Sequence, residues 1–340
     1  MPHVEKNALY LEFEKTAGDL APGFLTYFTP TFNRAGRLKP LHDALARQTC
    51  RDFVWIVVDD GSSDGTRDVM RTLLDANELP ILFVSKPNGG KHSAFEAALS
   101  LCRTAFFSCV DDDDVYDPRS TAFFLGEWRR IDAENRPDIG AIRTLTRRED
   151  GSFVTNEPIP PGKIGTRLDR DTLSRAHKDR IAQENWTCYK TAALRQIDLF
   201  PKDYWLADRN KFFSEAIWQG RFARRFLCRY VYESFRTYRT SETASLTRGP
   251  KTRQFCLDRF VAYFMVLDEQ WDFVRFNPQY ALRAILLVAV LRHKLGIPFR
   301  EFAARLGVKS LLPLFWLLRP LAPLVPLKFR DDPASAPLPP

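Results

Sequence analysis

Short apolar runs alternate with amphipathic stretches between residues 23 and 118. Several of these runs have the length and the aromatic or β-branched content of β-strands. The predicted strands are Gly23–Thr29, Phe53–Val58, Ile81–Ser85 and Ala105–Val110. The second of them, FVWIVV, is continuously apolar, which is typical of a parallel strand that is buried on both faces.

Helical patterns follow the first three strands, at Leu38–Gln48, Thr66–Asn77 and His92–Leu101. Asp64 precedes the second helix and is expected to cap it. A regular alternation of strand and helix predicts βαβ units. The expected fold class is therefore α/β, with a Rossmann-like, mainly parallel sheet flanked by helices.

The pattern is less regular after residue 118. The elements predicted there are strands at Ile139–Thr144, at Trp186–Lys190 and within Phe226–Arg239, and helices at Asp208–Gln219 and Phe255–Phe273. Residues 145–182 are polar and contain several prolines, which suits a loop that covers a site. Residues 1–22 are expected to be an extension before the fold, and residues 331–340 to be disordered.

Two apolar segments near the C-terminus, Tyr280–Leu295 and Leu311–Leu327, are flanked or interrupted by basic residues and prolines. Neither reaches the roughly 20 uninterrupted apolar residues that a membrane-spanning helix needs. Trp316 beside basic residues suits a segment that lies among lipid headgroups. The alternative is that both segments pack on the protein, and we favour the interfacial position.

The composition narrows the class of protein. The chain has 340 residues, 45% of them hydrophobic, and a net charge of +8, which indicates a globular protein with an anionic partner. That partner can be a nucleotide, a nucleic acid or an acidic lipid. The six cysteines form no CxxC pair, which argues against a zinc site. The polar N-terminus has no signal-peptide core, so we expect a cytoplasmic protein that can lie peripherally at the inner face of the membrane.

Two acidic motifs, Asp59-Asp60 and Asp111–Asp114, follow predicted strands. The carboxyl ends of parallel strands converge on one crevice, where open α/β sheets bind ligands. One motif can accept a hydrogen bond from a nucleobase or a ribose. The other can hold Mg²⁺ or Mn²⁺ against a diphosphate, because adjacent carboxylates need a counter-charge. The alternative is a solvated acidic turn. Lys91 can contact the same phosphates or face solvent.

These motifs carry a resemblance to a known family. Thr29–Arg34 (TPTFNR), Phe53–Thr66 (FVWIVVDDGSSDGT), Asn88–Leu99 (NGGKHSAFEAAL) and Val110–Pro118 (VDDDDVYDP) resemble, in order and spacing, the nucleotide-binding half of family 2 glycosyltransferases. The resemblance implies the GT-A fold, a nucleotide diphosphate sugar as donor and a divalent metal, Mn²⁺ or Mg²⁺, as cofactor. It also implies transfer of a sugar, with inversion, to a hydroxyl group of an acceptor. The basic, apolar C-terminal segments indicate a glycan or lipid-linked acceptor of the cell-surface polysaccharide or lipopolysaccharide type.

The resemblance also implies roles for individual residues. Residues expected to contact the nucleotide sugar are Thr31, Asn33, Arg34, Asp59, Asp60, Lys91 and Asp112. Asp111 and Asp113 match the metal-binding DXD motif, with Asp113 the expected direct ligand, although four consecutive aspartates leave the register open. The expected division of the chain is an extension (1–22), a nucleotide-sugar-binding half (23–118), an acceptor-binding half (119–248), a C-terminal helical region with possible membrane association (249–330) and a disordered tail (331–340).

The catalytic base is expected in the second half, through a weaker resemblance of Lys211–Ala223. Glu215 matches the base position best, and Asp208 is the reserve. The alternative for Glu215 is an exposed helix acid. The Glu-Asp pair common in the family is absent, and so is the QxxRW motif of processive synthases, so transfer of a single sugar is expected rather than polymerisation.

Two other classes of protein remain open on the sequence. Clustered aspartates in a basic chain also suit a metal-dependent nuclease or nucleotidyltransferase. Against this alternative, the positive charge forms no clear stripe, and no nucleic-acid partner is expected. A catalytically inactive module that binds a sugar nucleotide is the third possibility, although the aspartate motif is intact.

Overall fold

A computed structural model describes residues 2–17, 21–200, 205–206, 213–239 and 252–322. The chain forms two compact units. The first unit consists of residues 1–171, 181–197 and 225–241, and the second of residues 172–180, 198–224 and 242–340. The first contains the β-sheet and the second is helical.

One mixed sheet organises the described part of the first unit. Its strands are β1 (His3–Lys6), β2 (Ala21–Thr31), β3 (Phe53–Asp59), β4 (Ile81–Ser85), β5 (Thr104–Cys109), β6 (Val115–Tyr116), β7 (Ile139–Arg148), β8 (Arg167–Arg170), β9 (Asn185–Lys190) and β10 (Leu227–Tyr238). They lie in the order β1-β4-β3-β2-β5-β9-β7-β10-β6, and β8 pairs with β10. The expected α/β fold is confirmed.

The central strands β4, β3, β2 and β5 are parallel, as the continuous apolar runs predict. The chain moves outward from β2 to β3 and β4, and then returns to place β5 on the other side of β2. This reversal creates a topological switch point between β2 and β5. Ligands of open α/β sheets bind at such a point, outside the carboxyl ends of the strands.

Helices cover the faces of the sheet. In the first unit they are α1 (Ala8–Ala17), α2 (Ala35–Ala46), α3 (Thr66–Ala76), α4 (Lys91–Leu101), α5 (Ser120–Ala133) and α6 (Thr191–Leu194). The predictions for α2, α3 and α4 are confirmed. Helix α5 was not predicted, although Phe124, Trp128 and Ile131 fall at helical spacing and are fully buried. The first residues add β1 to the sheet, antiparallel to β4.

Aromatic side chains fill the core between the sheet and α5. Trp128 stacks on Phe106 with ring centroids 4.9 Å apart. Trp186 lies between Tyr27 and Tyr116, at centroid distances of 6.1 and 4.7 Å. Its indole Nε1 donates a hydrogen bond of 2.9 Å to the carbonyl of Cys109, the last residue of β5. The core therefore fixes the point at which the chain leaves β5.

A buried amide fixes the other end of the loop after β5. Gln48 Oε1 accepts hydrogen bonds from the Ser120 hydroxyl, at 3.0 Å, and from the backbone N–H and hydroxyl of Thr121, at 3.0 and 2.8 Å. Its Nε2 donates to the carbonyl of Asp117 at 2.9 Å. Gln48 thus satisfies one of the free N–H groups at the start of α5, that of Thr121, and holds the preceding turn in place.

The second unit is built from helices. They are α7 (Glu215–Ala223), α8 (Arg253–Val274), α9 (Pro278–Lys294), α10 (Phe299–Arg305) and α11 (Leu312–Leu317). Asn277 caps α9 by accepting the N–H of Tyr280 at 3.2 Å, and Pro278 occupies the first turn. The expected helical C-terminal region is confirmed, whereas the tail from residue 331 lies outside the described residues. Nowhere in the described ranges is there a helix with the length and apolar character that crossing a bilayer requires.

Candidate functional site

The switch point of the sheet brings the predicted acidic motifs to one edge. Asp59 ends β3, and β2 beside it ends at Thr31 in register with Asp59. Asp111–Asp114 follow β5, the neighbour of β2 on the other side. The Thr29 hydroxyl donates to the carbonyl of Val110 at 2.9 Å, which couples the end of β2 to the start of the aspartate loop, residues 110–118.

Asp59 and Asp60 hold the loops around this edge. Both Asp59 oxygens accept local bonds, from the Ser62 N–H at 2.9 Å and the Ser85 hydroxyl at 3.3 Å. Asp60 is 5% exposed and accepts the ammonium of Lys86 at 2.5 Å. It also accepts the N–H groups of Gly89 and Gly90, at 2.9 and 2.6 Å. Asp60 therefore sets the shape of the glycine turn that leads into α4.

The loop after β2 carries the other residues expected to contact a nucleotide. The hydroxyl of Thr31 is buried and has no hydrogen-bond partner among the described residues. Asn33 adopts a left-handed backbone with φ of 52°, and its Oδ1 accepts the N–H of Ser63 at 2.8 Å. Asn33 thus joins this loop to the turn that follows β3. The guanidinium of Arg34 reaches across to the aspartate loop.

A basic side chain pairs with each aspartate of the cluster. Lys91 Nζ lies 3.1 Å from Asp111 Oδ1. Arg34 Nη1 donates to Asp112 Oδ1 and, at 3.1 Å, to Asp113 Oδ2. The Nε of Arg236, on β10, donates to Asp114 Oδ2. The counter-charge that the sequence argument assigned to a metal is thus provided in part by the protein.

The four carboxylates divide into an outer and an inner pair. The side chains of Asp111 and Asp113 are 30% and 31% exposed, whereas those of Asp112 and Asp114 are 1% exposed. Asp111 and Asp113 can therefore meet a ligand directly. Asp112, which the sequence placed among the donor contacts, is buried against Arg34.

Burial and the neighbouring charges shift the pKa of Asp111 and the pKa values of the inner pair in opposite directions. Burial raises the pKa of Asp112 to about 6, against the lowering effect of the Arg34 charge. Burial likewise raises the pKa of Asp114 to about 6, against Arg236. Burial also acts on Asp111, but the charges of Lys91 and Arg236 outweigh it and lower the pKa to about 2. Asp111 is therefore ionised at neutral pH, as a metal-binding carboxylate must be.

The outer pair fits a divalent cation that is shared with a diphosphate. No group of three or more His, Cys, Asp or Glu suited to a metal occurs within the described ranges. Mg²⁺, however, is usually held by one or two carboxylates together with substrate phosphates and water. Asp111 and Asp113 supply such a pair of oxygen donors, on the loop that follows β5.

Helix α4 presents its N-terminus at the same edge. Its first residue is Lys91, preceded by Gly90 with φ of 85°. A Cβ on Gly89 would lie 2.6 Å from Ser93 Oγ, so the turn is packed too closely for a larger residue. A helix N-terminus with an adjacent lysine attracts phosphate groups.

The expected catalytic bases belong to the second unit. Glu215 is the first residue of α7, which Ser214 caps by accepting the N–H of Ala216 at 3.4 Å. Its carboxylate is exposed and accepts Gln219 Nε2 at 3.3 Å. Asp208 lies outside the described residues.

A parallel sheet with an acidic switch point and a helix N-terminus at the same edge is typical of α/β domains that bind nucleotides. Comparison with known proteins identifies it further. Residues 26–171 match the model of Glycosyl transferase family 2. The resemblance inferred from the motifs is confirmed.

Relatives and solved structures agree with this assignment. Chondroitin synthase of Pasteurella multocida (strain Pm70) is 28% identical over 134 residues, which make up 39% of this chain and only 13% of that protein. Residues 1–349 of TarS from S. aureus, in complex with UDP-GlcNAc, superpose with a TM-score of 0.58 at 16% identity over 88% of each chain. The mannosyltransferase PcManGT from Pyrobaculum calidifontis, with GDP-Man and Mn²⁺, gives 0.51 at 16% identity, covering 92% of this chain and 90% of its own. These structures confirm the GT-A fold.

The raised pKa values of the inner pair predict how stability depends on pH. The pKa of Asp112 and Asp114 lies near 6 in the folded chain and about 3.9 in an unfolded one. Between these values the folded state binds more protons than the unfolded state. The free energy of unfolding therefore falls as pH rises from about 4 to about 6, by on the order of 2 kcal/mol per carboxyl group, and then levels off.

Asp112→Asn is expected to remove about half of this decrease, since Asp114 accounts for the remainder. The measurement is urea unfolding at pH 4.5, 5.5 and 6.5 in the presence of a chelator. An identical decrease in the wild type and the variant would contradict the assignment.

Proposed function

We propose that this protein is an inverting, metal-dependent glycosyltransferase that uses a nucleotide diphosphate sugar. The observation that supports this most strongly is the shared edge at the ends of β2, β3 and β5. There the outer carboxylates Asp111 and Asp113 lie on the aspartate loop, and Lys91 at the start of α4 contacts Asp111. That combination suits a ligand with a diphosphate and a nucleoside. The match to family 2 favours it over the nuclease alternative.

Each group at the edge has a distinct task in the proposal. The loops held in place by hydrogen bonds of Asp59, Asp60 and Asn33 are the proposed nucleoside-binding site. Lys91 and the N-terminus of α4 bind the phosphates. Asp111 and Asp113 are the residues proposed to hold Mn²⁺ or Mg²⁺, which would neutralise charge on the leaving diphosphate when bound.

Glu215 is proposed as the general base. It would accept the proton of an acceptor hydroxyl as the oxygen attacks the anomeric carbon. Attack from the face opposite the diphosphate inverts that carbon. Glu215 is the first residue of α7, and its carboxylate is exposed.

The named relatives and solved structures support a choice of donor and acceptor classes for this proposal. TarS was solved with UDP-GlcNAc and PcManGT with GDP-Man, so UDP and GDP sugars are the first donors to test. The sequence relatives include synthases named for chondroitin and hyaluronan. We infer a glycan or lipid-linked acceptor of the cell-surface polysaccharide type, and addition of a single sugar.

Peripheral contact with the inner membrane surface belongs to the same proposal. Large apolar side chains are exposed along the C-terminal helical segment, at Leu314, Trp316, Leu317 and Leu321, with exposed fractions of 38% to 62%. The opposite face is buried through Phe315 and Ala322. Arg319 lies within the segment. An apolar face with tryptophan and basic residues favours the headgroup region of an anionic bilayer.

Glu215→Gln tests the chemistry. The amide keeps the shape of the side chain but cannot accept a proton, so transfer is expected to fall by about 100-fold or more while donor binding is unchanged. Transfer is measured as release of nucleoside diphosphate from UDP and GDP sugars with a lipid-linked glycan acceptor. The control is Gln219→Ala, which removes only the hydrogen bond to Glu215. An active Glu215→Gln enzyme would exclude Glu215 as the base.

Trp316→Ser/Leu317→Ser tests membrane contact. Sedimentation with phosphatidylglycerol vesicles is expected to weaken by about tenfold or more, since two large apolar side chains no longer leave water. Leu11→Ser, at an exposed apolar position on α1, should sediment like the wild type. If the wild type did not sediment with the vesicles, the membrane proposal would be refuted. That result would not bear on the proposed sugar transfer.

A further inference from the structure

Arg236 is a buried basic residue that no donor motif contains. It lies near the end of β10 and is 8% exposed. Its backbone pairs with Tyr116 of β6 on one side and with Thr146 of β7 on the other. The residue is therefore held in the sheet, and its guanidinium extends to the inner side of the aspartate loop.

The guanidinium contacts three carboxylates through three different nitrogens. Nε donates to Asp114 Oδ2, and Nη2 lies 3.9 Å from Asp111 Oδ2. Nη1 donates to Glu184 Oε1 at 3.3 Å, where the carboxylate is about half exposed. The planar guanidinium has donors in several fixed directions and can contact all three carboxylates at once, whereas the single ammonium group of a lysine cannot.

The backbone around Arg236 holds the same loop. The N–H of Asp117 donates to the carbonyl of Phe235 at 2.9 Å. The Tyr116 hydroxyl donates to the carbonyl of Asp111 at 3.2 Å. β10 therefore fixes the loop at its end through the backbone of Phe235 and at its start through Arg236, while Tyr116 of β6 holds the carbonyl of Asp111.

We propose that Arg236 is a positioning residue of the donor site, which acts through Asp114 and Asp111 and does not itself touch the donor. This inference rests on the proposed function. The side chain of Asp114 is 1% exposed and that of its neighbour Asp113 is 31% exposed, so anchoring Asp114 inward leaves Asp113 directed outward. Without Arg236, Asp114 would be a buried carboxylate with no counter-charge, and the loop would have to rearrange to expose it.

A positioning role and a simple charge role predict different results. If Arg236 only supplied positive charge, Arg236→Lys would restore wild-type binding, and Arg236→Gln would strengthen binding of Mn²⁺ alone. If it positions the loop, both variants bind UDP or GDP with Mn²⁺ about 10- to 100-fold more weakly, as for other residues that orient metal ligands. Asp114→Asn should have a similar effect, and the double variant Asp114→Asn/Arg236→Gln should be little worse than either single variant.

The experiment is titration calorimetry of Mn²⁺ alone and of UDP and GDP, each with and without Mn²⁺, on the full chain. A purely structural defect lowers the fraction of protein that binds, whereas a positioning defect raises the Kd of the folded fraction. Glu184→Gln is the matched control, because it removes the exposed partner of the same guanidinium. Its Kd should stay within about threefold of the wild-type value, as expected of a rim contact.

The outcomes separate the two proposals. A wild type that binds neither nucleotide overturns the proposed function. A wild type that binds, together with folded Arg236→Gln or Asp114→Asn protein of unchanged Kd, overturns the positioning role alone. Should Arg236→Gln fail to fold, Arg236→Lys and the isosteric Asp114→Asn decide the question by the same measurement.

Discussion

Mutual repulsion of four consecutive aspartates is the constraint on which the site depends. Adjacent carboxylates can remain ionised in a partly buried loop only when opposite charges stand close by. Here those charges come from Arg34 after β2, Lys91 at the start of α4 and Arg236 on β10. Neutralising one loop therefore ties together three segments that are far apart in the sequence.

This arrangement divides the work among the carboxylates. The inner aspartates, Asp112 and Asp114, are buried and paired with arginines, so they hold the loop in its conformation. The outer aspartates, Asp111 and Asp113, retain exposed oxygens on the side where β2, β3 and β5 end. A site built in this way is formed before its ligand arrives, and pre-organisation lowers the cost of binding.

Much of the first unit follows from local pattern. The strands β2 to β5 are continuous apolar runs, and a parallel strand buried on both faces allows little else. The acidic turns after β3 and β5 follow directly, because strand order places their ends together. Helix α5 escaped prediction because its polar residues obscure the spacing of Phe124, Trp128 and Ile131.

Arg236 could not be predicted for a different reason. Its partners lie more than 100 positions earlier in the chain, at Asp111 and Asp114, and nothing near it in the sequence marks it. A basic residue at a buried position of an apolar strand was the available signal. Similarly, the inward direction of Asp112 depends on the backbone geometry of the loop, which a run of four consecutive aspartates does not reveal.

The account depends above all on the claim that the acidic edge binds a nucleoside diphosphate through a metal. A thermal-shift screen of nucleoside diphosphates, with and without Mn²⁺, on the wild type and Asp113→Ala tests it most directly. A ligand that binds only the folded chain raises the melting temperature by mass action. The account predicts a rise for the wild type with one nucleoside diphosphate, dependent on Mn²⁺ and abolished in Asp113→Ala. Equal shifts in both proteins, or none with any nucleotide, would contradict it.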